Sequence, residues 1–453
     1  MLIFVAACGA NGGNNGNNAS SKTNDVTDAS QTKATPTPAA PLDDPVKVVW
    51  WHSMGGELGS AVTQLVTDFN ASQSNIIVEE IYQGSYDESL NKMKASMDSK
   101  TGPSLIQVYE IGSRFMIDSK STTPIQKFVD AEGFDMSQLE ENITNYYTFD
   151  GQLHSMPFNT SNAILYYNKD LFEAAGLDPE KAPATFEEVK EYAEKLTVNG
   201  QAGASFAIYG WFMEQFFANQ GSDYLNNGNG RSAAATESLL NNEVGLQTLT
   251  WWKELVDSGN VLNLGRASAD TKKAFLAGQI AMTLDSTASL RGMVDAAEGQ
   301  FEIGTGFLPK AEGAAEGGII VGGASLWIMN NKSDEEQQAA WEFIKYLAKP
   351  ETQAYWNVNT GYFPITKKAY DQQLIIDNLA KYPQFQTAID QLHASKPSTA
   401  SNGAVMGVFP EARQIVEGAI EEALTGIKEP QAALDSAAKA ITDKISTYNL
   451  TTQ

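Results

Sequence analysis

Residues 46–109 read VKVVWWHSMGGELGSAVTQLVTDFNASQSNIIVEEIYQGSYDESLNKMKASMDSKTGPSLIQVY. Three apolar runs in this stretch, Val46 to Trp51, Ile76 to Tyr82 and Ser104 to Tyr109, have the length and composition of strands. Between the first two, Leu58, Val62, Leu65, Val66 and Phe69 recur at helical spacing. Between the last two, Leu90, Met93 and Met97 share one face of a helix over Tyr86 to Met97. Strands alternating with helices through short connections predict a parallel sheet with helices on its faces.

The same alternation continues downstream. Thr185 with Glu188 reads as a capping box, opening a helix whose stripe is Phe186, Val189, Tyr192, Ala193 and Leu196. A helix ending at Gly278 is followed by a strand over Gln279 to Leu284, and Gln431 to Tyr448 is an amphipathic helix. There is no internal repeat. No apolar run is long enough to span a bilayer, so any transport is left to partner chains.

A chain of 453 residues suits two lobes with accessory segments. Hydrophobic residues at 42% and charged residues at 19% make its bulk globular. With 55 acids against 31 bases the formal charge is −24, which argues against nucleic acid and against adhesion to an anionic membrane. A small anionic ligand stays open, because a pocket's local field can oppose the net charge. The single cysteine, Cys8, builds no disulfide framework, and three scattered histidines (His52, His154 and His393) form no ligand set. The chain is therefore expected to carry no metal, no cofactor and no catalytic residue.

Residues 1–8, MLIFVAAC, end in a string that resembles the lipobox of bacterial lipoproteins, with Cys8 as the lipidated residue. The segment lacks a basic start and reads as a truncated signal. Residues 9–44 are dominated by Gly, Asn, Ser, Thr, Ala and Pro. Such a composition buries too little apolar surface to offset its ordering entropy, so it reads as a disordered linker. Anchor, stalk and folded body predict an extracytoplasmic protein held to the outer face of the bacterial cell membrane by lipid alone.

Several strings carry a family resemblance, in order from about Val46 to the C-terminus: Trp50 to Met54 (WWHSM) with Gly55 to Gly59, Leu165 to Phe172 (LYYNKDLF), Phe275 to Met282 (FLAGQIAM), Gly322 to Trp327 (GGASLW) and Gly361 to Pro364 (GYFP). They resemble the extracellular solute-binding proteins of carbohydrate-type ABC importers. WWHSM, Leu105 to Glu110 (LIQVYE), Pro157 to Ser161 (PFNTS) and GGASLW are closest to the family's glycerol-phosphate-binding branch. The resemblance implies an α/β periplasmic-binding-protein type II fold, two α/β lobes around a hinged ligand cleft. It places residues 45–157 and 321–365 in lobe 1, and 158–320 and 366–453 in lobe 2, with crossings near Pro157 and Val321. It also implies a monomer that delivers its ligand to the transmembrane subunits of an ABC permease.

Ligands of open α/β sheets bind beyond the carboxyl ends of strands. Glu110 directly follows the strand ending at Tyr109, and a carboxylate there accepts hydroxyl hydrogen bonds. Tyr86 starts a helix and can present a phenol. Both are first-lobe contacts by the resemblance. Thr160 and Ser161 lie at the first crossing, where turn capping is their plainer role. Ser286, Thr287 and Ser289 precede a helix whose N-terminus suits a phosphate, although N-capping alone would explain them. Gly322 and Gly323 allow close backbone approach or make a hinge turn. Tyr362 offers a hydroxyl, and Trp211 matches a cleft tryptophan that stacks on the ligand. Arg413 matches the branch's phosphate-binding arginine, whose fork grips oxyanions. The chain departs from the branch at Ile208, where the pattern has a second tryptophan, and at Asp285, where it has a small neutral residue.

Three functions compete. The first is capture of sn-glycerol-3-phosphate or a glycerophosphodiester. The second is capture of a mono- or oligosaccharide, favoured by Asp285 and Glu110. The third is a glycosidase using those two acids.

Overall fold

The computed structural model describes residues 44–97, 101–198 and 200–452. Cys8 and most of the stalk lie outside the described residues. The described strands are β1 (Val46–His52), β2 (Ile76–Tyr82), β3 (Leu105–Tyr109), β4 (Thr122–Thr123), β5 (Met156–Ser161), β6 (Ala163–Asn168), β7 (Ala202–Ser205), β8 (Val261–Leu262), β9 (Ile280–Ser286), β10 (Ile303–Gly306) and β11 (Gly322–Met329), with a separate short hairpin at 148–153. The helices that matter for the cleft are α1 (Gly56–Ser72), α2 (Tyr86–Ser96), α3 (Gly210–Asn219), α4 (Leu290–Ala297), α5 (Asp334–Leu347), α6 (Pro350–Thr360), α7 (Phe409–Leu424) and α8 (Pro430–Thr451).

Among the described residues the strands form two main sheets. The first runs β2-β1-β3-β11-β4, with β5 also on β11. The second runs β8-β7-β9-β6-β10. The parallel order expected for residues 46–109 holds: β1 pairs in parallel with β2 and β3. The sheets as wholes are mixed, which corrects the all-parallel expectation. β11 is antiparallel to β3, β4 and β5, and β6 is antiparallel to β9 and β10. The physical reason is the chain's path. Strand β5 leaves the first sheet at the ligand edge, ending there like β1 to β3, and β11 re-enters from that edge, so β11 runs against its neighbours.

The exchange points follow from register. β5 stays paired with β11 as far as Ser161, and β6 opens in the second sheet at Ala163. The chain therefore crosses at Asn162, beyond the expected Pro157. It returns between β10 and Gly322.

Aromatic rings fill the interior beside both sheets. Trp50 on β1 is fully buried, with the rings of Phe158 and Phe343 5.5 and 5.4 Å away, edge-on. Such pairs add to area burial because ring edges meet ring faces. Behind the second sheet, Phe186 and Trp251 stack at 3.9 Å. Helix starts follow local chemistry. At α2 the Ser85 hydroxyl accepts the Glu88 N–H, and the Glu88 carboxylate accepts the Ser85 N–H, a full capping box. At Phe186–Leu196 the Thr185 hydroxyl caps Glu188 N–H as expected, while the Glu188 side chain bonds the Ala184 N–H.

Candidate ligand cleft

Topology sets which residues meet. The carboxyl ends of β1, β2 and β3 lie on one edge of the first sheet. Antiparallel β11 begins on that edge, with Ala324 opposite Tyr109, and β5 ends there, with Ser161 opposite Gly322. Glu110, Thr160, Ser161, Gly322 and Gly323 are thereby gathered. In the second sheet, β9 ends at Ser286 opposite Ala163, so residues 285–289 face the crossing. The segment after β7 leads into Trp211 on α3.

A polar chain ties the first edge together. Ser53 N–H donates to Gln107 Oε1 at 2.7 Å, Gln107 Nε2 to Asn159 Oδ1 at 2.7 Å, and Asn159 Nδ2 to the Tyr86 hydroxyl at 2.7 Å. Tyr86 stacks on Tyr109 at 5.3 Å. Burial pushes the Tyr362 hydroxyl up, while Asn159 and Tyr86 pull it back and Glu110 adds to the rise. Tyr362 thus faces the same cluster, its ring stacked on Trp356 at 5.6 Å. Asn159 was not singled out in the sequence, although it lies inside the quoted PFNTS string.

Arg413 on α7 reaches this edge, and only 6% of it is exposed. Its Nε donates to Glu214 Oε1 at 2.8 Å and its Nη2 to Glu214 Oε2 at 2.8 Å. Nη2 also donates to Glu110 Oε1 at 2.7 Å. Burial pulls the guanidinium down, but Glu214 and Glu110 outweigh it and hold it well above its usual range. Burial pushes the Glu214 carboxyl up against the pull of Arg413. This burial and pairing exclude a solvated surface role for Arg413. Glu214 was missed. The signal was present: an acid inside the apolar helix GWFMEQFFAN needs a cation, because a buried charge is tolerated only when paired.

Close packing surrounds the cluster. A Cβ on Gly322 would fall 2.4 Å from the Trp211 ring, and one on Gly323, whose φ is +91°, 1.8 Å from the Asn159 carbonyl oxygen. Glycine is required at both by space, and at Gly323 also by conformation. Among the described residues, buried Thr160 Oγ1 and Trp211 Nε1 have no hydrogen-bond partner. Ser161 is buried through its pairing with Gly322.

The hydroxyls at and after the end of β9 are more committed. Ser286 Oγ accepts Ala288 N–H at 3.1 Å as an N-cap. Thr287 Oγ1 accepts Asn162 N–H at 3.3 Å and so braces the crossing. Ser289 Oγ accepts from Lys272 at 2.7 Å and donates to Asp285 Oδ1 at 3.1 Å. Asp285 Oδ1 also accepts Ser286 N–H, and Oδ2 lies 3.7 Å from Lys272 Nζ. Asp285 is thus engaged locally with Lys272, Ser286 and Ser289. Ile208 is buried in the hydrophobic core, and the neighbouring Tyr209 ring lies 5.6 Å from the Arg413 guanidinium.

This arrangement, two lobes exchanging strands around a buried cluster of convergent polar groups, was compared with known proteins. The model of the bacterial extracellular solute-binding proteins matches residues 64–387. The chain belongs to this family. Among relatives of this solute-binding protein, the sn-glycerol-3-phosphate-binding periplasmic protein UgpB of Escherichia coli K12 is 36% identical over 398 residues, covering 86% of this chain and 90% of the relative. In structure it is similar to UgpB of Mycobacterium tuberculosis, solved in complex with glycerophosphocholine (TM-score 0.77, 22% identity, 90% of this chain and 100% of that one). It is also similar to the cyclic α-maltosyl-1,6-maltose binding protein of Arthrobacter globiformis (TM-score 0.74, 23% identity, 89% and 100%). The family is one of solute-binding proteins.

Proposed function

We propose that this solute-binding protein captures sn-glycerol-3-phosphate or a glycerophosphodiester and delivers it to the transmembrane subunits of an ABC permease. The observation that carries this reading is the buried Arg413, anchored by Glu214 beside Glu110, Tyr86 and Tyr362 at the carboxyl edge of the first sheet. A guanidinium with one arm unspent suits an oxyanion, and a carboxylate and phenols suit the glycerol hydroxyls. The likeness to glycerol-phosphate-binding relatives supports it. Contact residues on this reading are Tyr86, Glu110, Thr160, Ser161, Trp211, Ser286, Thr287, Ser289, Gly322, Gly323, Tyr362 and Arg413. Calorimetric titration with both ligands tests it. Binding is expected, and none at millimolar ligand removes the reading.

A saccharide ligand is the second reading, favoured by the acidic excess of Glu110 and Glu214 over Arg413. Asp285 supports it less than its presence in the sequence suggested, because one oxygen is already held by Ser286 and Ser289. The protein acts on this proposal as a monomeric carrier without catalysis. It is tethered outside the cell membrane through Cys8, so Cys8→Ala should release it from the membrane fraction. Retention of that variant on membranes would refute the tether.

A further inference from the structure

We propose that Glu214 is a positioning residue for Arg413, and that Glu214 and Glu110 together make the cleft favour a phosphate bearing one negative charge over one bearing two. This rests on the glycerol-phosphate reading and asks which ionisation state the site takes.

The geometry is one of counted donors. A guanidinium has five N–H groups in a fixed plane. Nε–H and both hydrogens of Nη2 are used on Glu214 and Glu110. Nη1 has no partner among the described residues, so its two N–H groups are the remaining pair. The plane cannot swing freely. A Cβ on Gly210 would come 2.6 Å from Arg413 Cγ, and the Tyr209 and Phe409 rings lie 5.6 and 5.8 Å from the guanidinium. Both oxygens of Glu214 accept from Arg413, the bidentate geometry of a carboxylate, and this pairing opposes the upward push of burial on its carboxyl.

Charge is the second consequence. One cation faces two buried carboxylates, so the cluster keeps a surplus negative charge. A half-buried cation nearby, Arg231, lies 5.1 Å from the Tyr146 ring and donates to the carbonyls of Asn145, Tyr146 and Gly403, not to Glu110 or Glu214. Glu417 accepts Gly210 N–H and lies 3.8 Å from Arg266, which is also paired with Glu421, and Asp87 accepts from Tyr109. The tyrosines around Glu110 (Tyr86, Tyr146, Tyr209 and Tyr362) are pushed up by burial and stay neutral. An incoming dianion meets the surplus twice as strongly as a monoanion. At an effective dielectric of about 20, one extra charge roughly 5 Å from a carboxylate is worth at least about a ten-fold change in affinity.

The test compares glycerol-3-phosphate with its methyl phosphodiester by calorimetry from pH 5.5 to 8. The monoester gains its second charge near about pH 6, whereas the diester keeps one throughout. For the full chain we expect monoester affinity to fall at least about ten-fold relative to the diester as pH rises across this window. A drift shared by both ligands belongs to a protein group and cancels in the ratio. Glu214→Gln should shrink the diester preference at pH 8 by about ten-fold, whereas a purely structural role would weaken both ligands alike. If that variant does not fold, Glu110→Gln reads the same ratio. Equal affinities for both ligands at pH 8 in the unaltered protein, or a ratio unmoved by the substitution, overturn the inference. No binding of either ligand would instead overturn the functional reading on which it rests.

Discussion

Two residues of the cleft can be set apart by what their removal leaves behind. Arg413→Ala strands Glu110 and Glu214 in the interior without their cation. Breaking a buried pair from one side costs about 3–5 kcal/mol. The variant should therefore melt well below the parent and lose phosphate-ligand binding, whereas a neutral sugar would still bind if the second reading held. Differential scanning calorimetry and ligand titration separate these effects. Gly323→Ala meets both a left-handed φ of +91° and the Asn159 carbonyl. Strain of this kind costs about 1–3 kcal/mol or more, and because Asn159 holds the Tyr86 hydroxyl, ligand affinity should fall with stability. A Gly323→Ala protein with unchanged melting and binding would contradict this account of the turn.

At the scale of elements, α2 delivers Tyr86 as its first residue, so its start sets the position of the phenol. Ser85→Ala removes the hydroxyl that caps Glu88 N–H, and loss of such a cap costs about 1 kcal/mol. A drop in melting temperature with a modest loss of affinity is expected. The end of β1 carries a pH-sensitive contact. His52 Nδ1 accepts Met54 N–H at 3.2 Å, and Nε2 faces Glu80. Burial lowers the His52 pKa below its ordinary 6.5, outweighing Glu80. A histidine held neutral in the fold takes up its proton more readily when unfolded. Stability is therefore full above about pH 6.5 and is lost as pH falls below it. His154 is lowered by burial in the same direction, so the measurement is urea unfolding from pH 5 to 7.5 on the parent and on His52→Asn. The variant should show a smaller loss of stability on acidification, and an identical pH slope would remove His52 as the cause.

For the whole molecule, the crossing at Asn162 and the return before Gly322 join two sheets whose cores are continuous, since Ile106, Val108 and Trp327 of the first belong to one buried cluster with Leu165, Met282 and Leu284 of the second. Arg413 on α7 bonds Glu110 after β3, and a Cβ on Gly361 would lie 2.3 Å from the Thr287 carbonyl oxygen after β9. A ligand bound between the lobes stabilises this joined form by mass action, by about 2.7 kcal/mol at a hundred-fold excess over Kd. Saturating ligand should raise the melting temperature and make the particle more compact in solution scattering; no change in either would argue against closure. Much of this architecture was legible in residues 46–109, because period-2 and period-3.6 apolar patterns are local. Tyr86, Glu110 and the glycines 322 and 323 were legible as positions at strand ends and turns. Their partners were not. Asn159 meets Gln107 from 52 residues away, and Arg413 meets Glu110 from 303 away. By itself, then, the sequence determined the alternating elements, the acidic balance and the family's strings. Only the tertiary structure decided the crossing at Asn162, the local engagement of Asp285, and the pairing of Arg413 with two carboxylates. Side-chain type sets what a group can bond, but burial and long-range register set what it meets.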